Sequence, residues 1–307
     1  MASYEIFKEK SQTIRQPATA NLMIDSADRP FTLSSGTKYY QQSPFDFQIQ
    51  AKQSLLNGFF HRIGTSEVVL EWDIPNINSA TSTNSFLFDM SGQTFSTTIA
   101  EGFYTVQDLL QEIPWAMSTL CSTVNISYGN FSTIPFFNGN YYALRNFSGV
   151  PFVLQNSPLT NLIFTPGAQS ASNITKVYKP QIDLRPFRYI DFVSENLTYN
   201  QNLKDADTTN QPRNVLNRWY FDWDNPPDID GFGYPILQGY TPFRQRRLYN
   251  PPKQIRWNNE MPIGNLSFQV FGDNGSNLSY LSTNSLNTVF PPWNTTNWLM
   301  TLQVSED

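Results

Sequence analysis

The stretch SEVVLEWDIPNINSATSTNSFLFDMSGQTFSTTIAEGFYTVQDLLQEI, residues 66–113, decides the fold. It opens on an apolar run, Val68, Val69, Leu70 and Trp72, whose β-branched and aromatic side chains and following Pro75 suit a buried strand better than a helix. A polar Ser/Thr/Asn loop leads to a second run, SFLFDM at 85–90, and Gly92 leads to a third, TFSTTIAEG at 94–102. Three strands then give way to one short helix near 105–113. Thr105 can cap free backbone N–H groups, Asp108 three residues on can meet the positive helix end, and Leu109, Leu110 and Ile113 supply an apolar face. Pro114 is expected to limit the helix.

The same alternation recurs on both sides. PFDFQIQA at 44–51 sets Phe45, Phe47 and Ile49 against Asp46, Gln48 and Gln50, a half-buried strand by period two. VNISYG at 124–129, NYYALRNFSG at 140–149, PFVLQN at 151–156 and LTNLIFTPG at 159–167 read as short strands at spacings near ten residues. The segment 167–186 reads as a long loop, FRYIDFVSE at 187–195 alternates again, and 196–214 is a polar connection. In VLNRWYFDWDN, 215–225, alternation places Trp219, Phe221 and Trp223 on one side, as sandwich core or as the anchor of an interface. Core is favoured, because a strand of a two-layer fold must bury one face. NLSFQVFGDNG at 265–275, turning at Asp273-Asn274-Gly275, and NWLMTLQV at 297–304 close the chain as strands.

Composition agrees with this all-β reading. Phe, Tyr and Trp make up 15% of the 307 residues and charged residues another 15%, a balance that favours strands and packed surface over long solvated helices. Twenty-one Pro and abundant Asn argue for many turns. The fold expected is a single jelly-roll β-sandwich, about eight main strands in two antiparallel sheets with long loops. Residues 1–30 form an extended N-terminal arm ending in the fixed turn IDSADRP, and 31–307 form the jelly-roll domain. The arm reads either as a tail without consequence or as a segment that pairs with a neighbouring subunit or lies along an inner face. A length near 300 exceeds a minimal jelly roll, so either the loops are long or a small insertion lies within 124–215.

At this point the residues carry a resemblance. IAEGFYTVQDLLQEI at 99–113, preceded by a strand ending in WDIPN, resembles the strand, Gly-x-Tyr-Thr and short amphipathic helix of jelly-roll capsid proteins of tailless icosahedral DNA viruses. Most similar are the penton or minor capsid proteins of the virophage and polinton-like group. NLMIDSADRPF at 21–31, YIDFVSENLTYNQNLKDADTT at 189–209 and the closing pair GNLSFQVFGDNGSNL and NWLMTLQVSE fit as well. The resemblance implies a structural virion protein located in the capsid. It would self-assemble, as a pentamer at a vertex, and contact neighbouring major capsid proteins, with room for contact with a spike or other minor capsid protein.

Chemistry is sparse. There is one histidine, His61 beside Arg62, with no second His or Cys to share a metal, and it reads as a hydrogen-bonded structural group. The single cysteine, Cys121, excludes an intramolecular disulfide and a thiolate cluster, and reads as a small buried hydrophobe. No nucleophile elbow, phosphate-cradling loop or zinc motif is present, so no catalytic, cofactor-binding or metal residues are expected. The acidic group Asp222, Asp224, Asp228 and Asp230 could hold a hard cation, but its spacing does not match a calcium loop. Nearby stand Arg244, Arg246, Arg247, Lys253 and Arg256, interleaved with Phe243, Tyr249 and Trp257. Basic residues among aromatics can bind nucleic acid. Pairing of Arg244, Arg246, Arg247 and Arg256 with those aspartates, within a subunit or across an interface, is the plainer use.

A net charge of −5 gives no general attraction to nucleic acid, and direct binding is not expected. No apolar run reaches membrane-span or signal-peptide length, so the chain is expected to be made inside a host cell and not secreted. The alternative is a carbohydrate- or receptor-binding β-sandwich, lectin or spike, which would use the same fold and exposed Trp, Tyr and Asn.

Overall fold

A computed structural model describes residues 19–50, 62–124, 129–136, 141–164, 174–177, 182–198, 205–206, 212–213, 215–221, 242–256, 264–281 and 296–305. Two four-stranded antiparallel sheets form the main body. One holds β1 (Thr19–Asp25), β5 (Arg62–Trp72), β16 (Phe243–Arg256) and β18 (Asn297–Ser305) in the order β1-β18-β5-β16. The other holds β4 (Asp46–Gln50), β12 (Tyr189–Val193), β15 (Val215–Tyr220) and β17 (Asn265–Gly272) in the order β15-β12-β17-β4.

This connectivity is a rolled hairpin. Taken in chain order, the first of the eight strands pairs with the last, the second with the seventh, the third with the sixth and the fourth with the fifth, all antiparallel. That winding defines a jelly roll. Alternation places one face of every strand inward: Val68, Leu70 and Trp72 on β5, Phe268 and Val270 on β17, and Trp298, Met300, Leu302 and Val304 on β18 are all buried in one cluster between the sheets. Trp298 is its hub. Its ring meets those of Phe47, Phe192 and Phe268, and its Nε1–H donates to the carbonyl of Pro44 at 2.8 Å. The aromatic ridge on β15 is core, with Trp219 and Phe221 in the same cluster, while Trp223 lies outside the described residues.

Within the stretch read as an arm, Thr19–Asp25 is therefore a strand of the sandwich, while residues 1–18 lie outside the described residues. The turn that follows is built as expected: the Asp25 carboxylate accepts from the N–H of Ala27 at 2.8 Å. A hairpin, β2 (Phe31–Ser34) and β3 (Thr37–Tyr40), comes next, turning at Ser35 and Gly36, both with positive φ. His61 lies outside the described residues.

A second buried cluster, drawn from residues between Ile77 and Leu184, shares no residue with the first. Its strands are β6 (Ser85–Met90), β7 (Gln93–Thr98), β8 (Phe131–Phe136), β9 (Tyr141–Asn146), β10 (Phe152–Leu154) and β11 (Ile174–Val177), in the orders β10-β6-β7 and β11-β9-β8. The second and third strands of the deciding stretch thus belong to this cluster and not to the sandwich. So does its helix, α1 (Val106–Thr123). The capping box is present: Thr105 Oγ1 accepts from the N–H of Asp108 at 3.2 Å and Asp108 Oδ2 from the N–H of Thr105 at 2.8 Å.

Pro114 does not end the helix. A proline at this position cannot donate to the carbonyl of Leu110, and the hydroxyl of Thr133 on β8 does so instead, at 2.6 Å. Ser118 Oγ accepts from the N–H of Phe131 at 2.9 Å and ties the next turn to the same strand. Cys121 is buried as expected, and burial pushes its thiol pKa up. Close packing here requires glycine at 129, where a Cβ would stand 2.3 Å from Cβ and Sγ of Cys121.

Three further expectations change. The run at 159–167 begins as a helix, α2 (Pro158–Ile163), because Ser157 caps it by accepting from the N–H of Thr160 at 3.1 Å and proline occupies the first turn. The loop at 167–186 contains β11. The polar connection at 196–214 holds the end of α3 (Glu195–Thr198) and the short pair β13 (Asp205–Ala206) and β14 (Pro212–Arg213). Of VNISYG, 125–128 lies outside the described residues.

Candidate assembly surface

The basic residues singled out in the sequence lie on β16, at the edge of the first sheet. Arg244 and Arg246 point to the outer face, where they form ion pairs with Glu71, at 2.9 Å, and Glu67 on the neighbouring β5. The register dictates this, since Arg244 stands opposite Glu71, and Arg246 opposite Val69, two residue pairs from Glu67 and on the same face. Both arginines are largely exposed, so each pair contributes at most about 1 kcal/mol. Arg247 turns to the other side and lays its guanidinium over the Trp219 ring, 4.3 Å from the centroid. Arg256 is the last residue of β16, opposite Arg62 on β5. Asp222, Asp224, Asp228 and Asp230 lie outside the described residues. Among the described residues no group of three or more His, Cys, Asp or Glu is placed to hold a metal ion.

Between Leu248 and Lys253 the ladder to β5 shifts register. Pro251 and Pro252 fall in this gap, where two residues without N–H groups cannot continue it. Proline and charge are the means by which sheets blunt an exposed edge. The opposite edge, β1, carries neither proline nor a basic residue, and its Met23 is 65% exposed. Leu248 on β16 is 67% exposed, and Val69 and Leu299 lie half-buried on the strands between. The outer face of this sheet is thus apolar at its centre and carries paired charges at one margin.

A second surface arrangement was not anticipated. On the outer side of the other sheet, Arg218 holds the fully buried carboxylate of Asp191 by two hydrogen bonds, Nε to Oδ1 at 2.6 Å and Nη2 to Oδ2 at 2.9 Å. The hydrogen bond from Asp191 raises the Arg218 pKa above its ordinary value. The guanidinium lies 4.1 Å from the centroid of the Tyr189 ring, and Tyr189 stands directly opposite the exposed Tyr220 with ring centroids 5.7 Å apart. The two partners are 27 positions apart, and nothing in either segment specifies the register that joins them.

At one end of the first sheet, β5 finishes, β16 and β18 begin, and β1 hands over to the β2–β3 hairpin. An open cleft of about 320 Å³ lies there, lined by Glu71, Asp73, Pro242, Phe243, Arg244 and Asn297 among others. Arg29, at the base of the hairpin, is buried beside it. Its guanidinium donates to the carbonyls of Ser26 at 2.6 Å and Gln42 at 2.9 Å and to Asn297 Oδ1 at 3.2 Å, and lies 3.6 Å from the centroid of the Tyr40 ring. Burial lowers its pKa to about 10.

No protein-family model and no curated protein matches the chain. Among solved structures, it is similar to the mavirus penton protein, with a TM-score of 0.48 and 11% identity over 95% of this chain and 100% of that one. It is also similar to a chain of the Sputnik virophage, with a TM-score of 0.44 and 14% identity over 95% of this chain and 98% of that one.

Proposed function

We propose that this chain is a structural, non-catalytic subunit of an icosahedral virus capsid. Copies associate as a ring of five, at a vertex or in a minor-capsid position, and contact neighbouring major capsid proteins. The observation that carries the reading is the jelly-roll winding of the eight sandwich strands together with where the resembling segments fall within it. NLMID, YIDFV, NLSFQVFG and NWLMTLQVS are β1, β12, β17 and β18, half of the sandwich. A fold alone does not specify a role. The exposed apolar side chains on the outer face of the first sheet add a physical motive for association, because burying them removes apolar surface from water.

A closed ring needs a heterologous contact in which every copy offers two different surfaces. Size-exclusion chromatography with light scattering tests the reading, with an expected mass five times that of the 35.2 kDa chain. A chain that stays monomeric at every concentration would sink it. The Tyr189–Tyr220 pair and Arg218 favour one rival, a glycan-binding sandwich. A monomer retained on immobilised glycans would establish it in place of the capsid reading.

A further inference from the structure

We infer that residues 1–18 of one copy add a strand to the open edge of β1 in the next, a contact that rests on the proposed self-association and gives it a specific surface. β1 runs antiparallel to β18 from Thr19 to Asp25 without a register shift. Nothing among the described residues pairs with its other side. A row of backbone N–H and C=O groups in that state is a template for another extended chain, and sheets ordinarily block it.

Two other edges of the sandwich are blocked. On β16, Pro251 and Pro252 interrupt the ladder. On β4 the chain covers its own edge, the N–H of Gln48 donating to Oε1 of Gln42 at 2.7 Å. β1 has no proline, no basic residue and no bulge, and Thr19, Ala20, Asn21 and Met23 are exposed. Its core-facing side is unfinished as well. Ile24 is buried in the sandwich core, Leu22 packs against that core half-covered, and Ala20, next on the same face, is exposed. A further strand with apolar residues at alternate positions would continue the core over Leu22 and Ala20.

The segment that leads into β1 carries that pattern. In YEIFKEK, residues 4–10, alternation puts Tyr4 and Ile6 on one side and Phe7, flanked by Glu5 and Glu9, on the other. Tyr4 and Ile6 suit the core side of the edge, and Phe7 suits the outer side, where Met23 is 65% exposed. The sequence argues against fold-back onto the same copy. A tight hairpin needs residues with positive φ, yet residues 1–18 contain no Gly, Asn or Asp, and Pro17 holds φ at about −65°. Extended, residues 11–18 span up to about 28 Å, enough to carry the segment to a neighbour. Segment and edge are different surfaces of one chain, so the contact is head to tail, which closes a ring when the rotation permits.

Two variants of the intact chain test this by light scattering over a dilution series. One is the triple variant Tyr4→Ser, Ile6→Ser, Phe7→Ser, and the other is Ala20→Lys, which points a charge into the edge. Each is expected to raise the concentration at which the ring half-dissociates by about 30-fold, with the thermal midpoint of the dissociated chain unchanged. Because both remove one contact, their combination is expected to be no worse than either alone, whereas independent contacts would multiply to about 900-fold. The inference is wrong, with self-association standing, if either variant's ring persists at equal dilution or if the two effects multiply. It is equally wrong if the triple variant lowers the thermal midpoint, which would place the segment on its own β1. A chain that never associates overturns both readings.

Discussion

The two buried clusters are built from similar material and differ in how far along the chain their contacts reach. In the sandwich, Thr19 pairs with Ser305 and Phe47 packs on Trp298, so the core exists only once the two ends of the sequence have met. In the second cluster, β6 and β7 are joined by the two residues Ser91 and Gly92, and α1 is tied to β8 by Thr133 and Ser118 across separations of 23 and 13 residues. Local contacts form early and cheaply in chain entropy, whereas ladders between distant segments form late. A long elaboration between β5 and β12 is tolerable because it satisfies its own apolar surface and does not draw on the sandwich. The two clusters are expected to unfold in separable transitions.

The largest test of that separation is Trp298→Ala. Loss of the ring between Phe47, Phe192 and Phe268, and of its bond to Pro44, should cost about 4 kcal/mol. In urea unfolding, only the sandwich transition should move; a shift of a single shared transition would merge the two regions into one unit. Next comes Arg218→Ala, which leaves the buried Asp191 carboxylate without its bidentate partner and should lower the same transition by about 3 kcal/mol. Gly129→Ala is the counterpart in the second cluster. Its added methyl meets Cys121 at 2.3 Å, and a loss of about 2 kcal/mol is expected in the other transition alone.

The smallest effect concerns the connection back to β12. Hydrogen bonds from Arg185 hold the Asp183 carboxyl below the usual aspartate range, overcoming burial, which acts in the opposite direction. A carboxylate depressed in the folded state contributes stability above its unfolded pKa and loses it as pH falls through the folded value. Asp183→Asn should therefore be slightly less stable than the unmodified chain at neutral pH. The difference should vanish in acid, well below about pH 4, as followed by thermal unfolding across pH. The pair is partly exposed, which keeps the effect small.

How much could be read from the sequence follows the same division. Six of the eight sandwich strands were legible because each must bury one face: Val68, Leu70 and Trp72, or Trp298, Met300, Leu302 and Val304, announce themselves by period two, whereas β1 lies in the segment read as an arm and β16 shows only its charges. The helix was found by its cap and misjudged at its end, since nothing local predicts that Thr133 will satisfy the Leu110 carbonyl beneath Pro114. At 159–167 the apolar run hid a Ser-Pro helix start, a case in which capping chemistry outweighed strand-like composition. Of the expected contact residues, Arg244 and Arg246 lie beside Glu71 and Glu67, a neighbour relation set by strand pairing that spacing along the chain does not encode. The β2–β3 hairpin was passed over because its apolar side chains join neither buried cluster. The Arg29 bolt beneath it is assembled from residues 26, 42 and 297.

By itself, the sequence determined the class of structure: strands, turns and one capped helix, each specified by side chains within a few positions of one another. Tertiary structure alone decided which strands share a sheet, which of two cores each joins, and which surfaces face outward. Those outcomes depend on register between segments as much as 286 positions apart, as for Thr19 and Ser305. The free energy of burial depends on what lies opposite a residue and not on what lies next to it in the chain.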